Sequence, residues 1–216
     1  MNTLLLLFLV VPSALAAGIV IVLLMNPSKG DRAMARLAMM LGMPWMGGQR
    51  IPPEKGLFSF RHKPVFILDV WHGRELNIYH FTRGAERMRT AWVALDVPVK
   101  VSPELRMSFT AVGWITQASL QPGLKSVQTG DASFDNRFSV RSSDADLALS
   151  VLSPALRESF VRSWSGHDVR GVLSVREGRI HYEEAGPLTS GLPLRRMVAM
   201  VALCHALAES LDKAGV

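Results

Sequence analysis

An uncharged run near the start of the chain restricts its fold more than any other sequence feature. Residues 4–25 are 22 positions without a charged side chain. A helix of that length, at about 1.5 Å per residue, crosses the roughly 30 Å hydrocarbon core of a bilayer. A helix also satisfies its own backbone polar groups there, and Pro12 and Gly18 are tolerated in it. The run therefore predicts a single transmembrane anchor within residues 1–27.

A cleaved signal peptide is the alternative interpretation of this run, because Ala14-Leu15-Ala16 has the small-x-small pattern of a cleavage site. Two features favour an uncleaved anchor. The first three residues contain no Lys or Arg, and the apolar run continues for nine residues beyond Ala16. Cleavage after Ala16 would instead give a secreted or periplasmic binding domain.

The charge that follows the run predicts the orientation of the chain. Residues 26–63 hold seven basic and two acidic side chains, whereas residues 64–216 carry a net charge of only one. Basic residues beside a membrane span stay in the cytoplasm. We therefore expect a single-pass protein of the bacterial inner membrane, with its N-terminus outside and its C-terminal domain in the cytoplasm.

The high isoelectric point, about 10.0, could suggest nucleic-acid binding. The excess positive charge is concentrated beside the apolar run, where binding to anionic lipid headgroups explains it. We therefore predict a lipid bilayer, and no nucleic acid, as partner. A single cysteine, Cys204, excludes an intramolecular disulfide framework and fits a reducing compartment.

Residues 28–49 are predicted to form a juxtamembrane amphipathic helix and a linker. Apolar residues recur at helical spacing, and five of the 11 methionines lie between residues 34 and 46. Met is adaptable and Trp favours the membrane interface, so the helix either lies on headgroups or a membrane subunit, or packs on its own domain. The predicted membrane or partner contacts are Met34, Leu37, Met39, Met40, Leu41, Met43, Trp45 and Met46, and the predicted headgroup contacts are Lys29, Arg32 and Arg36.

Residues 50–216 are predicted to form one α+β domain, an antiparallel sheet covered by helices. Short apolar segments with a period of two, joined by polar turns, indicate antiparallel strands with one covered face. The predicted strands are 65–71, 76–81, 88–97, 105–112, 134–141, 172–176 and 179–184, with a short strand end at Trp114-Ile115. Residues 72–75 and Glu177-Gly178 are the predicted turns.

Three helices are predicted in the second half of this domain. Ser143 would cap a helix that ends near Leu152, and Ser153-Pro154 would begin another that ends near Ser163. From residue 193 to 213 one continuous apolar stripe marks the longest helix, which we expect to cover the sheet.

The segment from Thr129 to Val140 contains the pattern Gly-Asp-x-x-Phe-Asp-x-x-Phe-x-Val. It is followed by Ser143-Asp144, by Leu-Ser-Pro-Ala-Leu at residues 152–156 and by the predicted hairpin. Over about residues 105–185 the chain resembles bacterial membrane-anchored proteins of the DUF3137 type. The resemblance implies a membrane-anchored mixed α+β protein and supplies no catalytic residue, because that family has no established activity.

Three groups of side chains have residue types that could carry chemistry, and none is predicted to be catalytic, to hold a cofactor or to bind a metal. His72 and His80 could meet across a hairpin near Asp69, although surface histidines are the commoner outcome. Cys204 and His205 are adjacent on a helix and point about 100° apart, so they do not face each other. Asp135 is expected to pair with Arg137 or with a backbone N–H.

These features together predict a membrane-anchored, non-enzymatic interaction or accessory subunit of a bacterial inner-membrane complex. Its partners would be the bilayer and other membrane protein subunits. The alternative is an enzyme with an unrecognised polar pocket in the sheet domain, which should bring His, Asp or Arg side chains together.

Overall fold

The structure is a computed structural model that describes residues 29–43, 65–83, 90–112, 123–164, 171–186 and 192–215. The predicted anchor, Trp45, Met46 and the predicted strand end at Trp114-Ile115 lie outside these residues. Within the described ranges, no helix has the length and apolarity needed to cross a membrane.

The described residues form an eight-stranded sheet in which every neighbouring pair is antiparallel. The strands are β1 Val65–Trp71, β2 Arg74–Arg83, β3 Thr90–Pro98, β4 Met107–Ala111, β5 Lys125–Val127, β6 Phe138–Ser142, β7 Gly171–Arg176 and β8 Arg179–Ala185. Their order across the sheet is β1-β2-β3-β8-β7-β4-β6-β5. The predicted α+β class with an antiparallel sheet is confirmed.

Five helices accompany the sheet in the described part of the chain. They are α1 Lys29–Met40, α2 Ala132–Asp135, α3 Ala145–Val151, α4 Pro154–Ser163 and α5 Leu192–Ala214. Helix α5 packs against β3 and β8 and also contacts α1, α3 and α4. Its apolar stripe is buried, including Met197, Val201 and Cys204, so the predicted cover of the sheet by the C-terminal helix is confirmed.

Two hairpins have two-residue turns in which both backbone φ angles are positive. They are His72-Gly73 between β1 and β2, and Glu177-Gly178 between β7 and β8. Such turns match the right-handed twist of the paired strands. The second turn was predicted. The first is shorter than predicted, because Arg74 and Glu75 already pair within the sheet.

Two predicted boundaries in the second half are wrong. Phe134 and Asp135 belong to the short helix α2, and the strand begins only at Phe138. The cap of α3 is Asp144, whose carboxylate accepts a hydrogen bond from the Leu147 amide at 3.0 Å. Ser143 instead accepts one from the Arg106 amide at 3.0 Å. The Ser153 cap and the extent of α4 are as predicted.

Candidate functional site

Helix α1 divides the predicted contact residues between two faces. Met34, Leu37 and Leu41 are buried against the chain's own core, together with Met43 just beyond the helix. Helix α1 contacts β1 and α5, and the Trp71 Nε1–H donates to the Leu41 carbonyl at 3.2 Å. This face packs on the domain, which was the second of the two interpretations considered for this helix.

The opposite face of α1 is exposed. Arg32 and Arg36 lie on it, Met39 is 78% exposed and Met40 is 48% exposed. Lys29 is the first residue of the helix. Among the described residues, only Met39 and Met40 of the predicted apolar contact residues are therefore accessible to a membrane or partner. Both lie beside the arginines that were predicted to contact headgroups.

The Gly-Asp-x-x-Phe-Asp pattern is a folded turn at the start of α2. The Asp135 carboxylate accepts hydrogen bonds from the Thr129 amide and hydroxyl, at 3.1 and 2.9 Å, and from the Gly130 amide at 3.0 Å. Asp131 caps α2 through the Ser133 amide at 3.0 Å and accepts from Arg157 Nε at 3.1 Å. Asp135 thus has the predicted backbone partners. The motif has a structural role, because its carboxylates stabilise the turn that precedes α2.

One row of polar side chains crosses the sheet on the face opposite α5. It consists of cross-strand neighbours from seven strands, and we call it the polar row: Asn77, Asp96, His181, Ser174, Ser108, Arg141 and Ser126. Its middle members are buried, with Ser108 only 2% exposed. Two oxygen atoms of the polar row, Asn77 Oδ1 and Ser108 Oγ, are buried without a hydrogen-bond partner among the described residues.

At the centre of the polar row, His181 lies between two carboxylates. Its Nδ1 is 2.7 Å from Asp96 Oδ1 and its Nε2 is 3.4 Å from Glu183 Oε2. A neutral imidazole has one N–H, so donation to both carboxylates requires the imidazolium form. Burial disfavours that charge, but the hydrogen bonds to Asp96 and Glu183 outweigh it, and the pKa of His181 is raised.

Tyr79 completes this cluster from strand β2. Burial raises the pKa of its phenol, and the Asp96 charge and a hydrogen bond to Asp96 raise that pKa further. The cluster is therefore a set of coupled acids and bases in which both imidazole nitrogens of His181 already face carboxylates. In this state His181 is not a free base for an external substrate.

A second buried ionic group lies on the helix-covered face. Glu184 accepts a hydrogen bond from the Tyr182 hydroxyl at 2.9 Å and pairs with Arg196 of α5 at 2.9 Å. Burial raises the pKa of Glu184, although the Arg196 charge opposes this. The group ties α5 to β8, which is a structural role.

The histidine and cysteine groups considered from sequence do not form sites. His80 pairs with Val65 at the far end of the hairpin from His72, so these two residues do not meet. His72 instead has its ring centroid 5.6 Å from that of His205. Burial raises the pKa of the Cys204 thiol, which makes it unreactive. In the described ranges, no three His, Cys, Asp or Glu side chains are arranged so that together they could hold a metal ion.

Sequence reasoning missed the polar row, although each member was visible as a polar residue within a strand. Alternation along a strand places His181 and Tyr182 of β8 on opposite faces. It did not predict that Asp96 lies opposite His181, because the register between distant strands depends on pairing across the whole sheet.

No protein-family model and no curated protein matches the chain. Among solved structures, the chain is similar to the mycobacterial trehalose monomycolate transport factor A, TtfA. The TM-score is 0.50 and the sequence identity 12%, and the similarity covers 87% of this chain and 95% of that one. At this identity the likeness is one of fold.

Proposed function

We propose that the chain is a non-enzymatic accessory subunit of a bacterial inner-membrane transport complex. The observation that carries this proposal is the fold shared with a protein named as a transport factor, over nearly the whole of both chains. Function does not follow from fold alone. The proposal therefore also draws on the sequence, in which an apolar run and a basic segment precede the domain.

In this proposal residues 4–25 anchor the chain, with the N-terminus outside and the α+β domain in the cytoplasm. We expect the chain to stay with membranes after an alkaline wash. Release with a new N-terminus at Ala17 would contradict the anchor and favour a secreted domain. A reporter fused after Val216 that requires the periplasm should be inactive, and its activity would reverse the orientation.

The accessory role is tested by extraction of the tagged full-length chain in mild detergent. We expect it to elute at a fixed ratio with a larger membrane transport protein, and deletion of the chain should reduce transport by that protein. Glu75→Gln, at an exposed ion pair with Arg179, is the control variant and should leave the complex intact. Elution of the chain alone, with transport unchanged on deletion, would refute the role.

The second candidate function is an enzyme, and the cluster of Asp96, His181 and Glu183 is the observation that favours it. His181→Gln separates the two candidates when complex formation and cellular function are measured together. For an accessory subunit we expect function to follow the amount of assembled complex. Loss of function with normal assembly would favour the enzyme.

A further inference from the structure

Helix α1 is packed onto the domain along one face. Its buried face is part of the core, and Leu37 and Ala38 are fully buried. The Trp71 Nε1–H donates a hydrogen bond to the carbonyl of Leu41, the residue that follows this helix. The direction in which the exposed face of α1 points is therefore fixed relative to the sheet.

The exposed face of α1 combines cations with apolar side chains in one stripe. At about 100° per residue, Arg32, Arg36 and Met39 fall within about 60° of one another around the helix. Met40 lies beside them. No described ion pair involves either arginine. Cations next to exposed methionines match a surface that offers anionic groups at its edge and hydrocarbon just beneath.

The position of this stripe in the chain identifies such a surface. Only residues 26–28 separate the apolar run from Lys29. Four extended Cα steps span at most about 15 Å, so an anchor formed by residues 4–25 places the first turn of α1 close to the headgroups. Guanidinium groups bind phosphate oxygens in a bidentate manner.

We propose that α1 lies on the anionic bilayer surface, with Arg32 and Arg36 on lipid phosphates and Met39 and Met40 in the acyl boundary. The α+β domain is thereby held in one orientation at the membrane. This inference rests on the anchoring in the proposed function. It assigns the stripe to lipid, and a protein subunit covering the same residues is the competing outcome.

The test uses the full-length chain with a nitroxide label on a single introduced cysteine. The variants Met39→Cys and Met40→Cys carry the label on the stripe, and Leu149→Cys carries it on exposed Leu149 of α3. Native Cys204 is buried, so the unsubstituted chain measures background labelling. Each protein is reconstituted in vesicles of phosphatidylcholine alone or mixed with phosphatidylglycerol, and relaxation by oxygen and by a water-soluble nickel chelate is compared.

We expect the labels at positions 39 and 40 to be accessible to oxygen and protected from nickel in the anionic vesicles, with the label at 149 fully accessible to nickel. Adding Arg32→Gln and Arg36→Gln should shift the ratio of docked to undocked protein about 25-fold, since each cation at an anionic surface contributes about fivefold. Unchanged folding of the double variant, followed by tryptophan fluorescence, shows that the effect is local.

Two results would overturn the inference. Nickel-accessible labels at 39 and 40 in anionic vesicles would place the stripe in water. Protection that appears in native membranes but not in pure lipid would assign the stripe to a protein. The alkaline wash distinguishes failure of the anchor from failure of this inference. A chain released by the wash refutes the anchor, whereas a retained chain with nickel-accessible labels refutes only the docking of α1.

Discussion

The two faces of the sheet carry rows of residues that are neighbours in the chain and opposite in chemistry. Each residue of the polar row has a chain neighbour that points to the helix-covered face. These neighbours form a second row, which we call the apolar row: Ile78, Leu95, Tyr182, Leu173, Phe109, Val140 and Val127. Every member of the apolar row is buried. Three members of the polar row, His181, Ser174 and Ser108, are buried as well.

This comparison shows that alternation along a strand does not by itself separate core from solvent. The apolar row is stabilised by removal of hydrocarbon from water, a non-directional effect. Burial of the polar row is favourable only where its groups find partners, as His181 does with Asp96. The two faces should therefore respond differently to substitution.

The largest effect is expected where a charge enters the helix-covered face. Val201 of α5 is fully buried, and Val201→Asp would leave an unpaired charge there at a cost of about 4 kcal/mol. We expect loss of the folded domain in thermal denaturation of the full-length chain in mild detergent. Ala202→Asp, one residue on and exposed, should melt like the unsubstituted chain. Equal melting of the two variants would mean that α5 is peripheral.

Adjacent residues of β7 test the two faces directly. Leu173→Ala opens a cavity in the apolar row and should cost about 3 kcal/mol of unfolding free energy. Ser174→Ala removes only a long hydrogen bond, 3.5 Å from the Ser174 hydroxyl to the His181 carbonyl, and should cost about 0.5 kcal/mol. Chemical denaturation measures both. Similar costs would mean that the two faces are equally well packed.

His181 should make stability depend on pH in a defined direction. Because its folded-state pKa is raised above 6.5, its contribution is complete below that value and is lost as pH rises through the folded-state pKa. His181→Gln should cost about 2 kcal/mol at low pH and remove this dependence.

His205 provides the matched control with the opposite sign. Burial lowers its pKa, so its effect is to make stability rise as pH increases toward 6.5. His205→Gln should therefore remove an increase of stability with rising pH, whereas His181→Gln should remove a decrease of stability with rising pH. Denaturation at a series of pH values distinguishes them, and parallel curves for the two variants would contradict the imidazolium assignment of His181.

An effect smaller than that of His181→Gln is expected in the turn before α2. Asp135→Asn keeps the shape of the side chain but replaces one acceptor oxygen with an amide donor. The unsubstituted carboxylate accepts hydrogen bonds from the Thr129 and Gly130 amides, and a donor cannot replace it there. The loss should be about 1.5 kcal/mol, typical of hydrogen bonds to a charged group. Asp146→Asn, in the exposed first turn of α3, should change stability by only a few tenths of a kcal/mol. Equal losses would remove the structural explanation of the motif.

Local signals predicted the elements that depend on nearby residues. The Glu177-Gly178 hairpin, the Ser153-Pro154 start of α4 and the apolar stripe of α5 all follow from side chains within a few positions of one another. The predicted start of the strand 134–141 was wrong because Phe134 fits a strand pattern equally well, whereas the strand itself is present from Phe138. The place of Phe134 in α2 depends on Asp131 and Asp135, whose carboxylates bond the surrounding backbone amides.

The sequence by itself determined the class of the domain, the period of each segment and which residues of a strand share a face, because these depend on local backbone geometry. Tertiary structure alone decided the register that brings Asp96 to His181, and which face of α1 entered the core. Both require contacts between residues far apart in the chain, such as Trp71 with Leu41 and β3 with β8. Their energies are not encoded in any local pattern, because each side chain gains its partner only when the whole sheet assembles.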